Sequence, residues 1–333
     1  MEIRKLRKEE YDLLVDFLRN NWKSNHSLVK SKQLMDFQHL DGDSYSFYAA
    51  IEDGKIYSLQ GFIKSSFYDE ALEEEGDCWG AIWKTLPNTK KGELGLWTRD
   101  AIREKEMKCS IGGIGLSGFS KIINKLSGNT MGYMHQYYIA NRNVSEFKVC
   151  INPEIDHTVH AISEGWQIRQ NIHLDYITEP ATTYRPKKTV KYFINKYLYH
   201  PIYKYIFWGI YYNEDLVSIW AVRRLIVDGT SIFRVADVLG RIDNVPDLTE
   251  NIQEILRTES CEYIDFLNYG INPGVFKAMG FKDLNYDEGD TILPNYFEPF
   301  DQINVRLDVS YRAKYDEYVV FKADGDQDRP NIV

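Results

Sequence analysis

"LPNTKKGELGLWTRDAI" (residues 86–102) decides how this chain is read. Two glycines, Gly92 and Gly95, follow Lys90 and Lys91, and a helical pattern begins beside them. The first turn of a helix carries N–H groups with no intrahelical acceptor, at the positive end of the helix dipole. An oxyanion accepts those hydrogen bonds where no Cβ blocks its approach. Asn88, Lys90, Lys91, Gly92, Glu93, Leu94 and Gly95 are therefore the candidate phosphate-binding loop. An ordinary turn with solvated lysines is the competing reading, and Glu93 adds negative charge where a phosphate would sit.

Upstream, "CWGAIWKTL" reads as a strand. Before it, "YSFYAAIEDGKIYSLQGFI" places Asp53-Gly54 between two β-rich runs, a hairpin signal because that turn needs positive φ. The chain opens with two helical patterns, "KEEYDLLVDFLRNNW" and "SLVKSKQLMDFQHL", with Ser27 as expected N-cap of the second. Downstream come a strand ("KCSIGGIGLS"), a short helix ("GFSKIINKL") and a closing strand ("MGYMHQYYIA"). Residues 141–200 are less regular, and "EPATTYRPKK" (179–188) reads as a loop.

A related order returns later. "WGIYYNEDLVSIWAVRRLIVDGTSIFRVADVLG" supplies three strands with turns at 213–215 and 228–229. A helix, "LTENIQEILRTE", follows with Thr249 as expected N-cap. Then come a strand, "CEYIDFLNYGI", a short helix in "NPGVFKAMGF", and a last strand, "EYVVFKA". "IEDGKIYSLQGF" resembles "YYNEDLVSIWAV", and "GLSGFSKIINKLSG" resembles "GINPGVFKAMGF". The offsets are 160 residues from Ser58 to Ser218 and 155 from Gly115 to Gly270, which points to a repeated domain.

The 333 residues suit two domains, and 44% hydrophobic content supplies packed cores. A net charge of −9 weighs against a nucleic-acid partner. The N-terminus shows no apolar run of a secretory signal. The apolar-aromatic run near "YKYIFWGIYY" is too short to span a bilayer, so no membrane insertion is expected. Cys78, Cys109, Cys150 and Cys261 lack zinc-knuckle or redox-pair spacing, which fits a cytoplasmic location. No metal is expected. His157 and His160 have helical i, i+3 spacing but no third ligand. "DGDQDR" lacks the glycine and glutamate of a calcium loop.

The order of elements resembles the GNAT acyltransferase superfamily. Its carriers are the hairpin at Asp53-Gly54, "GAIWKTL", "NTKKGELG" and "IGLSGFSKIINKLSG". The whole chain resembles tandem GNAT-like proteins of bacterial surface-polysaccharide pathways, including its ending "FKADGDQDRPN". The resemblance implies an α/β (α+β) fold of two GNAT-like domains, each a mixed, mostly antiparallel splayed sheet flanked by helices. The expected boundaries are residues 1–145, a connection at 146–189, and 190–333 with an acidic tail. It implies that acetyl-CoA or another acyl-CoA enters a splay after the fourth strand, its pantetheine acting as a pseudo-strand. The superfamily loop, Gln/Arg-x-x-Gly-x-Gly/Ala, has one residue between its glycines; here there are two. The tyrosine that many members use as acid is replaced by Ile123 in one half and Phe276 in the other.

Acyl transfer to an amine needs a proton acceptor, a stabilised oxyanion and a protonated leaving thiolate. His135 and Tyr137 share one strand face, opposite Tyr138. His135 is a candidate general base, the role imidazole most often fills. Asp265 sits on a strand with Asn268 and Tyr269 at its end. His135, Tyr137 and Asp265 are thus the catalytic candidates. Asn268, Tyr269, Asp326, Asp328 and Arg329 are the substrate-binding candidates. Packed core residues and a solvated acidic tail are the alternatives. The resulting expectation is an acyl-CoA-dependent N-acyltransferase acting on an amino sugar or sugar nucleotide in surface-polysaccharide biosynthesis. A small-molecule sugar is the expected partner, and a homodimer is left open. The alternative is a non-catalytic GNAT-like module that binds a sugar nucleotide or a pathway enzyme. A third reading, an aminoacyl-tRNA-dependent transferase, is weakened by the net charge.

Overall fold

The computed structural model describes residues 1–87, 89 and 92–328. The first half runs β1 (Glu2–Arg7), α1 (Tyr11–Asn21), α2 (Lys32–His39), β2 (Ser44–Glu52), β3 (Lys55–Lys64), β4 (Asp77–Thr85), α3 (Leu94–Lys105), β5 (Ser110–Ile114), α4 (Gly118–Leu126) and β6 (Thr130–Tyr133). Then follow β7 (His135–Ala140), β8 (Trp166–Arg169), β9 (Ile206–Tyr212), β10 (Asp215–Val227), β11 (Thr230–Gly240), α5 (Thr249–Thr258), β12 (Cys261–Tyr269), α6 (Pro273–Ala278) and β13 (Lys282–Asp283). The chain closes with β14 (Asp308–Ala313) and β15 (Val320–Phe321).

Two mixed, mostly antiparallel sheets result. The first has the order β1-β2-β3-β4-β5-β14-β6, with a two-residue strand beside β2. The second has the order β13-β7-β12-β11-β10-β9-β8, with β15 attached to β12. The hairpin turns form as their sequences require: Asp53-Gly54 and Asp228-Gly229 all take positive φ. Thr249 is not the cap of α5; it is the first helical residue, and Asp247 accepts its N–H at 2.8 Å.

The expected closing strand "MGYMHQYYIA" is two strands in two sheets. β6 pairs with β14 in the first sheet, and β7 pairs with β12 in the second. Met134 lies between them, fully buried, its N–H bonded to Leu307 O. Conversely, β14 comes from the end of the chain yet sits between β5 and β6. Sheet membership therefore crosses the boundaries expected at 145 and 190.

Helices cover both faces of the first sheet. α1 and α2 pack over Leu6, Phe47, Ala49 and Leu59. α3 presents Leu94, Thr98, Ala101 and Ile102 at helical spacing. Its Ala101 and Ile102 meet Tyr48, Phe62 and Ile111. Between the sheets, Trp79, Ile114 and Val309 pack with Leu267, Tyr318 and Val320.

Candidate active site

β4 and β5 run parallel for only three residue pairs, Asp77↔Ser110, Cys78↔Ile111 and Trp79↔Gly112. There β4 carries a bulge: Gln60 and Phe62 of β3 face Trp83 and Gly80, one extra residue on β4. A bulge bends a strand and breaks its pairing. Beyond it, residues 80–85 stay paired to β3 and Gly113–Ile114 to β14, so β4 and β5 diverge. Their facing edges line a cavity of about 690 Å³. Its wall includes Trp83, Gly92, Gly95, Ile123, Arg103 and Asp326.

The two loop glycines do different work. Around Gly92 there is open space. A Cβ on Gly95 would lie 2.7 Å from Thr85 Oγ1 and 3.3 Å from Trp83 Nε1. Gly95 thus lets α3 lie against β4, and its carbonyl accepts Trp83 Nε1–H at 3.0 Å. Leu94 is buried in the first turn, and Glu93 stands at the N-cap without a side-chain cap bond. Asn88, Lys90, Lys91 and Arg329 lie outside the described residues.

The catalytic candidates lie away from this cavity. Asp265 is fully buried, held by Arg234 at 2.9 and 2.6 Å and by Gln136 at 2.8 Å. An arginine so engaged neutralises it as an internal pair of the second sheet. Tyr137 stacks on Phe276 with ring centroids 3.9 Å apart, inside the second core. Burial pushes its hydroxyl pKa upward. His135 Nδ1 lies 3.1 Å from Asp283 on the far edge of that sheet. Among the substrate candidates, Asn268 donates to Val320 O and accepts from Ile271 N–H. Tyr269 packs near Gly132 and Tyr311. None of these five lines the cavity.

The acidic tail does reach it. Asp326 and Gln327 line the cavity from the side of the second sheet, and Gln327 Oε1 lies where a Cβ on Gly115 would be 2.9 Å away. Asp328 accepts from Arg223 at 2.7 Å and Tyr205 at 2.6 Å. Burial pushes that carboxyl up, but Arg223 and Tyr205 outweigh it and hold it below the usual range. Among the described lining residues, Asp326 is the one carboxylate, and neither Tyr nor His occurs. The composition of the tail suggested solvated charge; its partners, far upstream in sequence, are what bury it.

The second sheet repeats the device. Ala221 and Val222 of β10 face Asp237 and Val235, again one extra residue, here on β11. β11 and β12 part after Val235↔Phe266. Into that gap goes the chain's own tail: β15 pairs with Asn268 and Tyr269, and Ala323 N–H bonds Ala236 O at 2.9 Å. Lys188 clamps it from below, 2.5 Å from Asp237 and 2.8 Å from Asp324. Lys196 Nζ donates to Ala323 O at 2.7 Å.

This paired architecture has counterparts among solved structures. A GCN5-related N-acetyltransferase from Anabaena variabilis ATCC 29413 matches 94% of this chain and 72% of its own, at 9% identity and a TM-score of 0.54. A conserved protein of unknown function from Enterococcus faecalis V583, described as a probable N-acyltransferase, matches the same shares at 9% identity and a TM-score of 0.51. The fold is that of the GNAT acetyltransferases. No protein-family model and no curated protein matches the chain. Among the described residues, no helix is long and apolar enough to cross a membrane.

Proposed function

We propose that the first half binds an acyl-CoA in the open splay and that the protein transfers its acyl group to an amine. The observation that carries this reading is the divergent β4–β5 pair, whose free edges line a cavity that reaches the N-terminus of a GNAT-type helix. The fit is chemical. A strand edge offers N–H and C=O groups to an extended, amide-bearing chain. The first turn of α3, beside the open space at Gly92, offers N–H groups to phosphate. The volume is within the ordinary range for small-molecule sites.

Bound there, the acyl-CoA supplies an activated thioester. The chain's own residues orient and neutralise. Asp326, at the end of the cavity facing the second sheet, accepts the proton that the acceptor nitrogen loses as it bonds to the acyl carbon. The leaving sulfur takes its proton from solvent, because Ile123 at the usual tyrosine position has no hydroxyl. The acceptor is a small primary amine; an amino sugar or sugar nucleotide of a surface-polysaccharide pathway is the acceptor that the sequence resemblance suggests.

Calorimetry with acetyl-CoA should give one site per chain, and thiol release should appear with an amino-sugar panel. No binding at millimolar acetyl-CoA defeats the reading. Binding without turnover on any amine favours the alternative, a non-catalytic module, to which the absence of Tyr and His among the described lining residues lends weight.

A further inference from the structure

The end of the cavity away from the α3 N-terminus is polar and cationic. Arg99, Arg103, Asn124, Asn129 and Ser310 line it. Arg99 is buried, with Nε and Nη2 on Asp100 Oδ1 at 3.0 and 2.8 Å and Nη1 on Ser127 Oγ at 2.8 Å. Arg312 donates to Ser127 O. Arg103 gives Nη2–H to Asn129 Oδ1 at 2.9 Å, while its Nε is buried with no hydrogen-bond partner among the described residues. Burial, then the charges of Arg99 and Arg312, lower Arg103 to about 10, with Asp100 opposing them. Three guanidiniums gather around one carboxylate in a chain of net charge −9.

Capping the C-terminus of α4 accounts for Arg99 and Arg312, which both bond Ser127. It does not account for Arg103, whose Nε is left dry and unpaired. A buried donor without a partner is costly, and the same guanidinium lines the cavity, where its terminal N–H groups can meet an oxyanion. We propose that Arg103, supported by Arg99 and Arg312, binds an oxyanion carried by the acyl donor. This rests on the acyl-CoA reading of the same cavity.

Two groups on the donor have this chemistry, a carboxylate at the far end of the acyl chain and a phosphate of the nucleotide. Position favours the carboxylate. Phosphate chemistry belongs to the first turn of α3, and Arg103 lies about 13 Å farther along that helix. The donor class is then a dicarboxylic acyl-CoA. Guanidinium is the side chain best shaped to hold such a carboxylate.

Calorimetric Kd values for acetyl-CoA, succinyl-CoA and acetyl-dephospho-CoA test this on the full chain. Succinyl-CoA should bind at least tenfold tighter than acetyl-CoA, and Arg103→Gln should reduce that ratio to within twofold. Arg103→Lys, which keeps the charge, should retain part of it. A tenfold loss with the dephospho donor, abolished in Arg103→Gln, would assign the oxyanion as phosphate and still support the subsite. Equal affinities in the wild type, or a preference that survives Arg103→Gln, overturn it. Binding without discrimination leaves the acyl-CoA reading standing; no binding by any thioester overturns both.

Discussion

The two halves open their sheets in the same way and differ in what enters the gap. In each, one extra residue bulges the strand before a parallel partner, and the pair then diverges. In the second half, the tail fills the opening as a short strand, and a buried lysine clamps it. In the first half the opening stays lined by strand edges. A splayed sheet thus exposes a pair of edges that must be satisfied by something extended. One copy has satisfied its own, and that copy's tail goes on to deliver Asp326 to the other.

The largest effect is expected at the clamp. Lys188→Met leaves Asp237 and Asp324 buried without their shared cation, so urea unfolding should show a loss of about 3–5 kcal/mol. A loss below about 1 kcal/mol would mean the tail is held in the gap by packing alone. Next, Asp326→Asn should lower kcat/KM for amine acylation about 100-fold, or about 2.7 kcal/mol, with donor Kd little changed. Activity retained within threefold removes the tail from the chemistry.

Gly95→Ala should cost about 1–3 kcal/mol, because its Cβ would press on Thr85 and Trp83 and push α3 off β4. Weaker acetyl-CoA binding should accompany it, and wild-type stability in this variant would contradict the close packing. The smallest effect is a pH dependence. Burial lowers Lys196 to about 8 from 10.5, with Asp324 and Asp237 opposing. Between those values the unfolded chain binds the extra proton, so this site's contribution to stability rises with pH from about 8 upward. Lys196→Met should lack that component, and identical stability slopes from pH 7 to 9.5 would contradict it.

Local signals carried much of the fold. Asp53-Gly54 and Asp228-Gly229 announce their hairpins because few other residues accept positive φ. The strand–glycine loop–helix order around residues 86–102 put the cavity mouth in view, and the resemblance between halves anticipated two related sheets. The strand "DVSYRA" went unread, although Val309, Tyr311 and Ala313 alternate as a strand should. Its partners are far away in sequence, and no local pattern states which sheet a strand will join.

The site was legible in the same uneven way. Gly92 and Gly95 reach the cavity, yet only the packed structure separates the open glycine from the one pressed on Thr85. His135 and Asp265 looked chemically apt by residue type, but their strands belong to the second sheet. Asp265 is consumed by Arg234, its neighbour across the β11–β12 ladder. Arg103 gave no sequence signal, because a basic residue in the last turn of a helix is an ordinary complement to its dipole.

The exchange of β7 and β14 between the sheets has a consequence for how the molecule is made. While the ribosome is still synthesising the middle of the chain, β5 and β6 have no strand to lie between them. The first sheet is completed only when Ala313 has left the exit tunnel. The amino-terminal half is therefore an unfinished edge until residue 313 has been made, and neither half can be released by cutting the connection between them without taking a strand from the other.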